Sequence, residues 1–487
     1  MKHFSLSSFP LYRWRYAITY TLIALGTAAL LLIATLFSPG ATSPAEINQA
    51  VTASNLRLEN ISLSPIVDGP YHALQKAIFM LLGVSFFTIK LPSLFFGALT
   101  AIACIVLLHR WFRPNVASLT AILIVTTGPF LLIAQSGTPR ILYLLWPTLL
   151  LLFATLIMQR AKYSALWYIL LAVTAAFSLY SPLSIYVLIA LTITAIAHPK
   201  LRLALRSFSP QLFALPLLLL AVLLIPLIMQ IVKDPSIALT LLGLSQELPV
   251  AIDNVRLLAM QYLNVFQPVN GTLMTPALGL GSLALIVLGG YRIIREHHTV
   301  RSHAIITWLI LLIPAIILNP EYAPITFIPF LLIMATGIDT LIRNWYMLFP
   351  KNPYARFAGL IPLVFLIITM TGTGIERTVY GYHYDPKISQ DFTRDIRLLD
   401  DAVASSTGST TIVVSNDELP FYSTYATYAK VDAPLKITTQ KPSTSTSTLY
   451  TRAAQKEQSP SGTPDTIIIS SQAQDADRFY LYKSADQ

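Results

Sequence analysis

The sequence predicts an all-α polytopic membrane bundle of about eleven transmembrane helices, followed by a small external α/β domain at the C-terminus. Hydrophobic residues make up 54% of the 487 residues and charged residues only 11%, whereas soluble domains carry about 25% charged residues. The apolar residues are gathered into runs long enough to cross a hydrocarbon core of about 30 Å. These runs stop near position 374, and Ser, Thr and Asp become frequent beyond it.

Eleven apolar runs have the length and composition of membrane helices. The first is too long for the apolar region of a cleavable signal peptide, so we expect it to remain as a helix. The runs lie near 16–37, 91–108, 116–134, 141–158, 165–180, 183–198, 210–231, 276–294, 304–318, 323–342 and 357–374.

The basic residues predict the orientation of the bundle. With the N-terminus in the cytoplasm, sixteen lysines and arginines fall in the inner loops and six in the much longer outer loops. Such a bias is typical of membrane proteins, whose cytoplasmic loops are enriched in Lys and Arg. An inside N-terminus and an odd number of spans place the C-terminus outside. The net charge of +10 therefore reflects topology and not nucleic-acid binding. The six outer residues are Arg57, Lys76, Lys90, Arg140, Lys233 and Arg256.

Two outer loops, 39–90 and 232–275, are long enough to carry function. Both contain apolar residues at helical spacing, which predicts amphipathic helices on the outer leaflet. Together with the spans they form a predicted membrane domain over 1–374.

Residues 375–487 form the predicted external domain. An amphipathic helix is expected over 386–404, and short apolar runs at 411–415 and 466–470 are typical of buried strands. Between them, the Ser/Thr-rich segment 438–464 is expected to be an unstructured insert.

Carboxylates are scarce in the N-terminal half. The first outer loop holds Glu46, Glu59 and Asp68, and no further acid follows until Asp234. The segment Ser43-Pro44-Ala45-Glu46 matches a helix capping box with proline at the first helical position. Glu46 thus has two open roles, as a helix cap and as a reactive carboxylate. Any carboxylate chemistry in this half depends on this loop.

Three segments around this loop resemble the GT-C superfamily of membrane glycosyltransferases, in particular its protein O-mannosyltransferase and aminoarabinose-transferase branch. They are Glu46 after the first helix, Gly69-Pro70-Tyr71-His72, and Lys90-Leu91-Pro92-Ser93 with Gly97 at the start of the second helix. Two departures stand out: Ala45 replaces the family's first loop acid, and the segment 135–142 lacks the family's later Asp.

The resemblance implies that the loop carboxylate is a general base. It would take the proton of an acceptor hydroxyl while a sugar leaves a polyprenyl phosphate. Glu46 is the first candidate, and Asp68 is a second carboxylate whose alternative role is to start a turn before Gly69-Pro70. For the donor phosphate Arg140 is the first candidate, against a helix-end arginine that contacts headgroups. Lys76, Arg256 and His72 are weaker candidates for the same role.

No phosphate-binding glycine motif for nucleotides and no metal-binding spacing of His, Cys or acids is present in the sequence. We therefore expect no metal and no cofactor, with a lipid-linked sugar as co-substrate and membrane lipid and a protein, glycan or lipid acceptor as partners. The expected location is the plasma membrane, with the long loops and the C-terminal domain outside the cytoplasm. Three functions remain: a glycosyltransferase, a catalytically silent relative that binds lipid-linked glycans or organises an envelope complex, and, less favoured, a transporter or flippase.

Overall fold

The computed structural model is a helical bundle followed by a small mixed sheet. It describes residues 10–37, 40–56, 66–160, 162–206, 211–244, 251–264, 278–384, 392–404, 410–429, 435–440, 447–458, 463–470 and 477–483.

The helices follow one another along the chain as α1 (Pro10–Phe37), α2 (Pro44–Ser54), α3 (Gly69–Leu82), α4 (Phe86–Trp111), α5 (Pro114–Thr126), α6 (Gly128–Gln135), α7 (Leu142–Met158), α8 (Ser164–Ser178), α9 (Ser184–Ala197), α10 (Pro199–Arg206), α11 (Gln211–Lys233), α12 (Ser236–Leu241), α13 (Ala251–Leu263), α14 (Leu280–Arg295), α15 (Val300–Leu318), α16 (Phe327–Leu348), α17 (Pro353–Ala358), α18 (Leu360–Tyr384), α19 (Asp395–Ala404), α20 (Leu419–Tyr428) and α21 (Arg452–Gln458). Two 3₁₀ turns, Pro139–Ile141 and Pro320–Thr326, precede α7 and α16.

This chain is a multi-pass membrane protein. Within the described ranges, seven helices are long and apolar enough to cross a membrane, and an eighth crossing results if α5 and α6, bent by 57° at their junction, act as one span. The predicted spans at 165–180 and 183–198 fall on shorter apolar helices, and the one at 276–294 falls on the 16-residue α14. Eleven crossings therefore remain a prediction.

Tight packing in the bundle depends on small residues where helices cross. Gly289 of α14 and Gly337 of α16 face each other, and a Cβ on Gly289 would lie 1.9 Å from the carbonyl oxygen of Ile333. No side chain fits at that distance, so the two backbones are in contact. Such close crossings are typical of helix pairs in membranes, where small residues allow the backbones to approach.

The first outer loop forms two helices, as its apolar spacing predicts. Helix α2 begins with the complete capping box, in which the Ser43 hydroxyl accepts from the Glu46 amide and the Glu46 carboxylate accepts from the Ser43 amide. Helix α3 follows Asp68, which has the left-handed backbone conformation φ 54°. Helix α4 begins at Phe86, five residues before the predicted span.

The C-terminal region holds a five-stranded sheet of order β2-β1-β3-β5-β4. Its strands are β1 (Thr410–Val413), β2 (Leu435–Thr438), β3 (Ser447–Thr451), β4 (Thr466–Ile469) and β5 (Asp477–Lys483). β1 is parallel to β2 and β3, and β5 is antiparallel to β3 and β4. In helix α19 the predicted apolar positions Ile396, Leu399 and Val403 are buried.

Two expectations for this region were wrong. The segment 438–464 contains strand β3 and helix α21, although residues 441–446 and 459–462 lie outside the described part. Its strand pairs with β1 and β5, contacts that composition does not reveal. The strand at 466–469 is an edge strand and not a buried one, because Ile467 and Ile469 are 45% and 60% exposed.

One apolar core joins the first outer loop to the C-terminal region. Ala50 and Ala53 of α2 and Phe79 of α3 share this core with residues of α19, α20, β1, β3 and β5. Thr42 and Thr393 exchange two backbone hydrogen bonds of 2.9 and 2.8 Å. The loop that carries Glu46 and Asp68 is thus held between the bundle and the C-terminal region.

Candidate functional site

Glu46 is buried and both of its carboxylate oxygens are engaged. One oxygen, Oε2, accepts from the Ser43 amide at 2.8 Å. The other, Oε1, accepts from the Gly137 amide at 2.7 Å and lies 3.4 Å from the Lys90 ammonium. Glu46 and Lys90 are each 1% exposed. The carboxylate therefore fixes the start of α2 against α4 and the segment that precedes α7.

Gly137 is the residue that allows this contact. A Cβ at this position would lie 2.8 Å from Cγ2 and 3.0 Å from the carbonyl oxygen of Ile89, and 3.4 Å from Cγ of Glu46. Glycine thus lets the backbone amide approach the carboxylate. The segment 135–142, which lacks the family's later Asp, thus contributes a backbone donor to Glu46.

Asp68 is also buried but is only partly engaged. Its exposed fraction is 6%, and its Oδ1 has no hydrogen-bond partner. Burial raises the pKa of this carboxyl to about 7, and the Ser181 side chain beside it lowers the pKa in part. The Trp146 ring N–H donates to Ser181 at 3.0 Å, and the Asp68 amide donates to the Tyr180 carbonyl at 2.8 Å.

The backbone conformation of Asp68 is unfavourable, as is the burial of its carboxyl. A left-handed conformation is uncommon for a residue with a Cβ, although Asp tolerates it better than most. Asp68 directly precedes α3, yet its side chain makes no capping hydrogen bond to that helix. The backbone of Asp68 therefore forms the turn before α3, and its carboxyl makes no hydrogen bond to that helix.

Arg140 lies in the same region as Asp68. The two residues, with Tyr322 and Glu321, are within electrostatic range of the Tyr143 hydroxyl. The Tyr143 and Tyr322 rings pack edge to face with centroids 5.9 Å apart. A carboxyl, a guanidinium and a second phenol thus lie in electrostatic range of Tyr143 at the start of α7, where the sequence placed only Arg140.

Tyr71 connects this group to Glu46. Its hydroxyl is within electrostatic range of both Glu46 and Asp68 and lies 2.8 Å from the Ser93 hydroxyl. Ser93 in turn donates to the Thr138 carbonyl at 3.1 Å. The two candidate carboxylates therefore both lie in electrostatic range of one buried tyrosine.

The other three phosphate candidates differ from Arg140. His72 is buried with an unpaired Nδ1, and burial lowers the pKa of its imidazole to about 4, so it supplies no positive charge near neutral pH. The Lys76 ammonium donates to the carbonyl oxygens of Ser54 and Leu56 and so caps the end of α2. Arg256 is exposed on α13. As sites of phosphate binding, all three remain predictions.

An apolar cleft shares the 3₁₀ turn Pro320–Thr326 with this polar group. Tyr322, which packs on Tyr143, belongs to the 3₁₀ turn Pro320–Thr326, and Ala323, Pro324 and Thr326 of the same turn line the cleft. The turn thus carries Tyr322, which belongs to the polar group, and two apolar residues and one threonine that line the cleft. The remaining walls come from α13, α14, α16 and the junction of α5 and α6.

Sequence reasoning missed Tyr143, Tyr322 and Ser181 as neighbours of Asp68. All three lie at or beside short turns between apolar runs, and a turn of this kind carries no motif. The Glu46–Lys90 pair was also missed, although both residues belong to the segments that resemble the GT-C superfamily.

Comparison with solved structures identifies the architecture. ArnT from Cupriavidus metallidurans bound to undecaprenyl phosphate aligns over 97% of this chain and 99% of its own, with a TM-score of 0.55 and 10% identity. The apo form of that protein aligns over 96% and 98%, with a TM-score of 0.51 and 12% identity. This chain has the GT-C fold.

The Archaeoglobus fulgidus oligosaccharyltransferase, solved with a tethered acceptor peptide, shares the GT-C fold. It aligns over 88% of this chain with a TM-score of 0.51 and 14% identity, and this chain spans 64% of its length. No protein-family model and no curated protein sequence matches this chain.

Proposed function

We propose that this protein is an integral-membrane glycosyltransferase. It moves a sugar from a polyprenyl-phosphate donor to a hydroxyl group of an exported or cell-envelope acceptor. The GT-C fold supports this class of reaction, and the observation that carries the proposal is the buried, incompletely bonded Asp68 carboxyl, which lies with Arg140 in electrostatic range of the Tyr143 hydroxyl. Glu46 remains a candidate base in this proposal, but Asp68 is the better one.

A general base needs a free oxygen and a pKa near the working pH. Asp68 has an Oδ1 without a partner and a pKa near 7. The Glu46 oxygens, by contrast, already accept from two amides and pair with Lys90. We therefore assign Glu46 as the positioning residue that fixes the loop, and Asp68 as the residue that receives the acceptor proton.

The reaction balances with these groups alone. The acceptor oxygen loses its proton to Asp68 and forms a bond to the anomeric carbon, while the bond from that carbon to the phosphate oxygen breaks. Negative charge develops on the departing polyprenyl phosphate. The Arg140 guanidinium can bind two phosphate oxygens at once and stabilise this charge.

The apolar cleft is the proposed site of the donor's isoprenoid chain. It is lined mainly by hydrocarbon and aromatic groups, which suits an apolar chain. The 3₁₀ turn Pro320–Thr326 joins the cleft to Tyr143 and hence to Arg140, so a chain in the cleft would bring its phosphate toward the guanidinium. ArnT bound to undecaprenyl phosphate supports this class of donor by analogy of fold.

The test is release of polyprenyl phosphate by the purified full-length protein. The protein would be incubated with a panel of undecaprenyl-phosphate sugars and a cell-envelope extract as the acceptor source. We expect release for at least one sugar, and a decrease of about tenfold in kcat/KM for Arg140→Lys because the bidentate contact is lost. Asp234→Asn, which alters an exposed outer-loop acid, is the control. Binding of every donor without release would contradict transfer.

A catalytically silent protein that binds lipid-linked glycans is the second candidate. It is favoured by Ala45 in the place of the family's first acid and by the structural engagement of Glu46. The same experiment separates the two, because a silent protein would bind the donor and leave it intact.

A further inference from the structure

Arg394 and Arg397 lie where the C-terminal region meets the ends of two membrane spans. Arg394 directly precedes α19, and its carbonyl accepts the first hydrogen bond of that helix, from Leu398 at 3.1 Å. Arg397 is in the first turn. The two side chains are close enough for each charge to disfavour the other, and burial and the charge of Arg397 both lower the pKa of Arg394.

Arg397 lies close to the ends of two of the membrane spans. Its guanidinium lies 5.1 Å from the centre of the Phe86 ring, at the start of the span Phe86–Trp111. A Cβ on Gly40, three residues after the end of the span Ala17–Phe37, would lie 3.4 Å from Nη1 of Arg397. Both spans end here, so the pair lies at the level of the lipid headgroups.

The described acidic side chains of α19 make no ion pair with either arginine, and this includes Asp401, one turn after Arg397. Asp395 binds Arg478 through both oxygens, and Asp400 accepts from Tyr425 at 2.6 Å. Glu46 of α2 is paired with Lys90 of α4. Among the described residues, no ion pair involves Arg394 or Arg397, and Nε of Arg394 has no hydrogen-bond partner.

Two unneutralised cations at the start of a helix are unfavourable, because the helix dipole is positive at that end. An anion placed there would reduce both penalties. We propose that Arg394 and Arg397 bind a phosphate group at the membrane surface, beside the ends of α1 and α4. A guanidinium group binds phosphate through two parallel N–H donors. Both the guanidinium and the phosphate are charged in the headgroup region. This site is separate from Arg140 and does not depend on transfer.

The phosphate has two possible sources, a phospholipid headgroup and a soluble phosphate. Full-length protein in detergent would be titrated with short-chain phosphatidylglycerol, followed by native mass spectrometry, and with inorganic phosphate, followed by ³¹P line broadening. Retention of the lipid alone assigns the site to a headgroup. Binding of inorganic phosphate as well shows that the phosphate itself is sufficient.

The variants are Arg394→Gln with Arg397→Gln, Arg397→Lys, and the control Arg202→Gln, which removes an exposed arginine from α10. We expect the double variant to weaken binding by about tenfold or more and Arg397→Lys to weaken it less, since the charge remains but the fork is lost. Arg202→Gln should bind like the wild type. The proposal is overturned if the wild type binds neither probe, or if the double variant binds both as the wild type does. Should the double variant fail to fold, Arg397→Lys provides the same comparison.

Discussion

Glu46 and Asp68 are two buried carboxylates of the segment 39–90, both in electrostatic range of Tyr71, and their surroundings differ completely. Glu46 has two amide donors and an ammonium group, so its charge is compensated. Asp68 has an oxygen without a partner, a strained backbone and a raised pKa. The first arrangement stabilises a fold, whereas the second costs stability.

A cost of this kind is commonly found at functional sites. Glu46 occupies the position at which the GT-C resemblance expects the base, yet its contacts are those of a structural residue. Asp68 lies outside that position and has the free oxygen that a base requires. Glu46 therefore has the chain position that the family gives to its acid, whereas Asp68 has the surroundings of a reactive carboxyl. The following variants test this difference.

The largest expected effect is on transfer by Asp68→Asn. Removal of a general base lowers the rate by about 10²–10⁴-fold, and we expect kcat for polyprenyl phosphate release to fall by that factor. The variant should fold normally, because the amide is nearly isosteric with the carboxyl. The control Asp234→Asn should leave the rate unchanged. Normal turnover by Asp68→Asn would remove Asp68 from the reaction.

Glu46→Gln should act mainly on stability. It leaves the Lys90 ammonium buried without a partner, and breaking a buried ion pair in this way costs about 3–5 kcal/mol. Thermal unfolding in detergent would measure the loss, and the double variant Glu46→Gln with Lys90→Met should lose less than the sum of the single variants. A fully stable Glu46→Gln that has lost transfer would make Glu46 the base after all.

A rise in pH should increase the transfer rate and decrease the stability of the fold, because both depend on the ionisation of Asp68. The folded-state pKa of about 7 lies above the ordinary aspartate pKa of 3.8, so between these two pH values the folded protein holds a proton that the unfolded chain has lost. Stability should therefore fall by at most about 4 kcal/mol as pH rises from about 4 to about 7. The transfer rate should rise to a plateau above about pH 7, because the base must be ionised. Asp68→Asn should remove the contribution of the Asp68 carboxyl to the pH dependence of the unfolding temperature. If this pH dependence were the same in the variant, the raised pKa of Asp68 would be wrong.

Ser43→Ala should have the smallest effect. It removes one half of the capping box at α2 and should cost about 1 kcal/mol, while Glu46 keeps its contacts with Gly137 and Lys90. The unfolding midpoint should drop slightly with kcat unchanged. A large loss of transfer in this variant would show that the start of α2 takes part in the reaction.

Most of the fold follows from local properties of the sequence. The capping box at Ser43 and the spacing of Ile396, Leu399 and Val403 are patterns between neighbours in the chain, and the structure contains both as predicted. The apolar runs are patterns of the same kind, and seven of the described helices are long and apolar enough to cross a membrane, so eleven spans remain a prediction. Strand β3 was not predicted, because its Ser- and Thr-rich sequence is stabilised by pairing with strands distant in the chain.

The sequence by itself determined that the chain crosses a membrane many times and that the segment 39–90 holds the few acids of the N-terminal half. Hydrophobicity and charge are additive along a chain and can be read without coordinates. Only the tertiary structure decided that Lys90 and Gly137 neutralise Glu46 while Asp68 keeps a free oxygen. Whether a carboxylate is compensated depends on atoms within a few ångströms, and those atoms come from segments tens of residues apart.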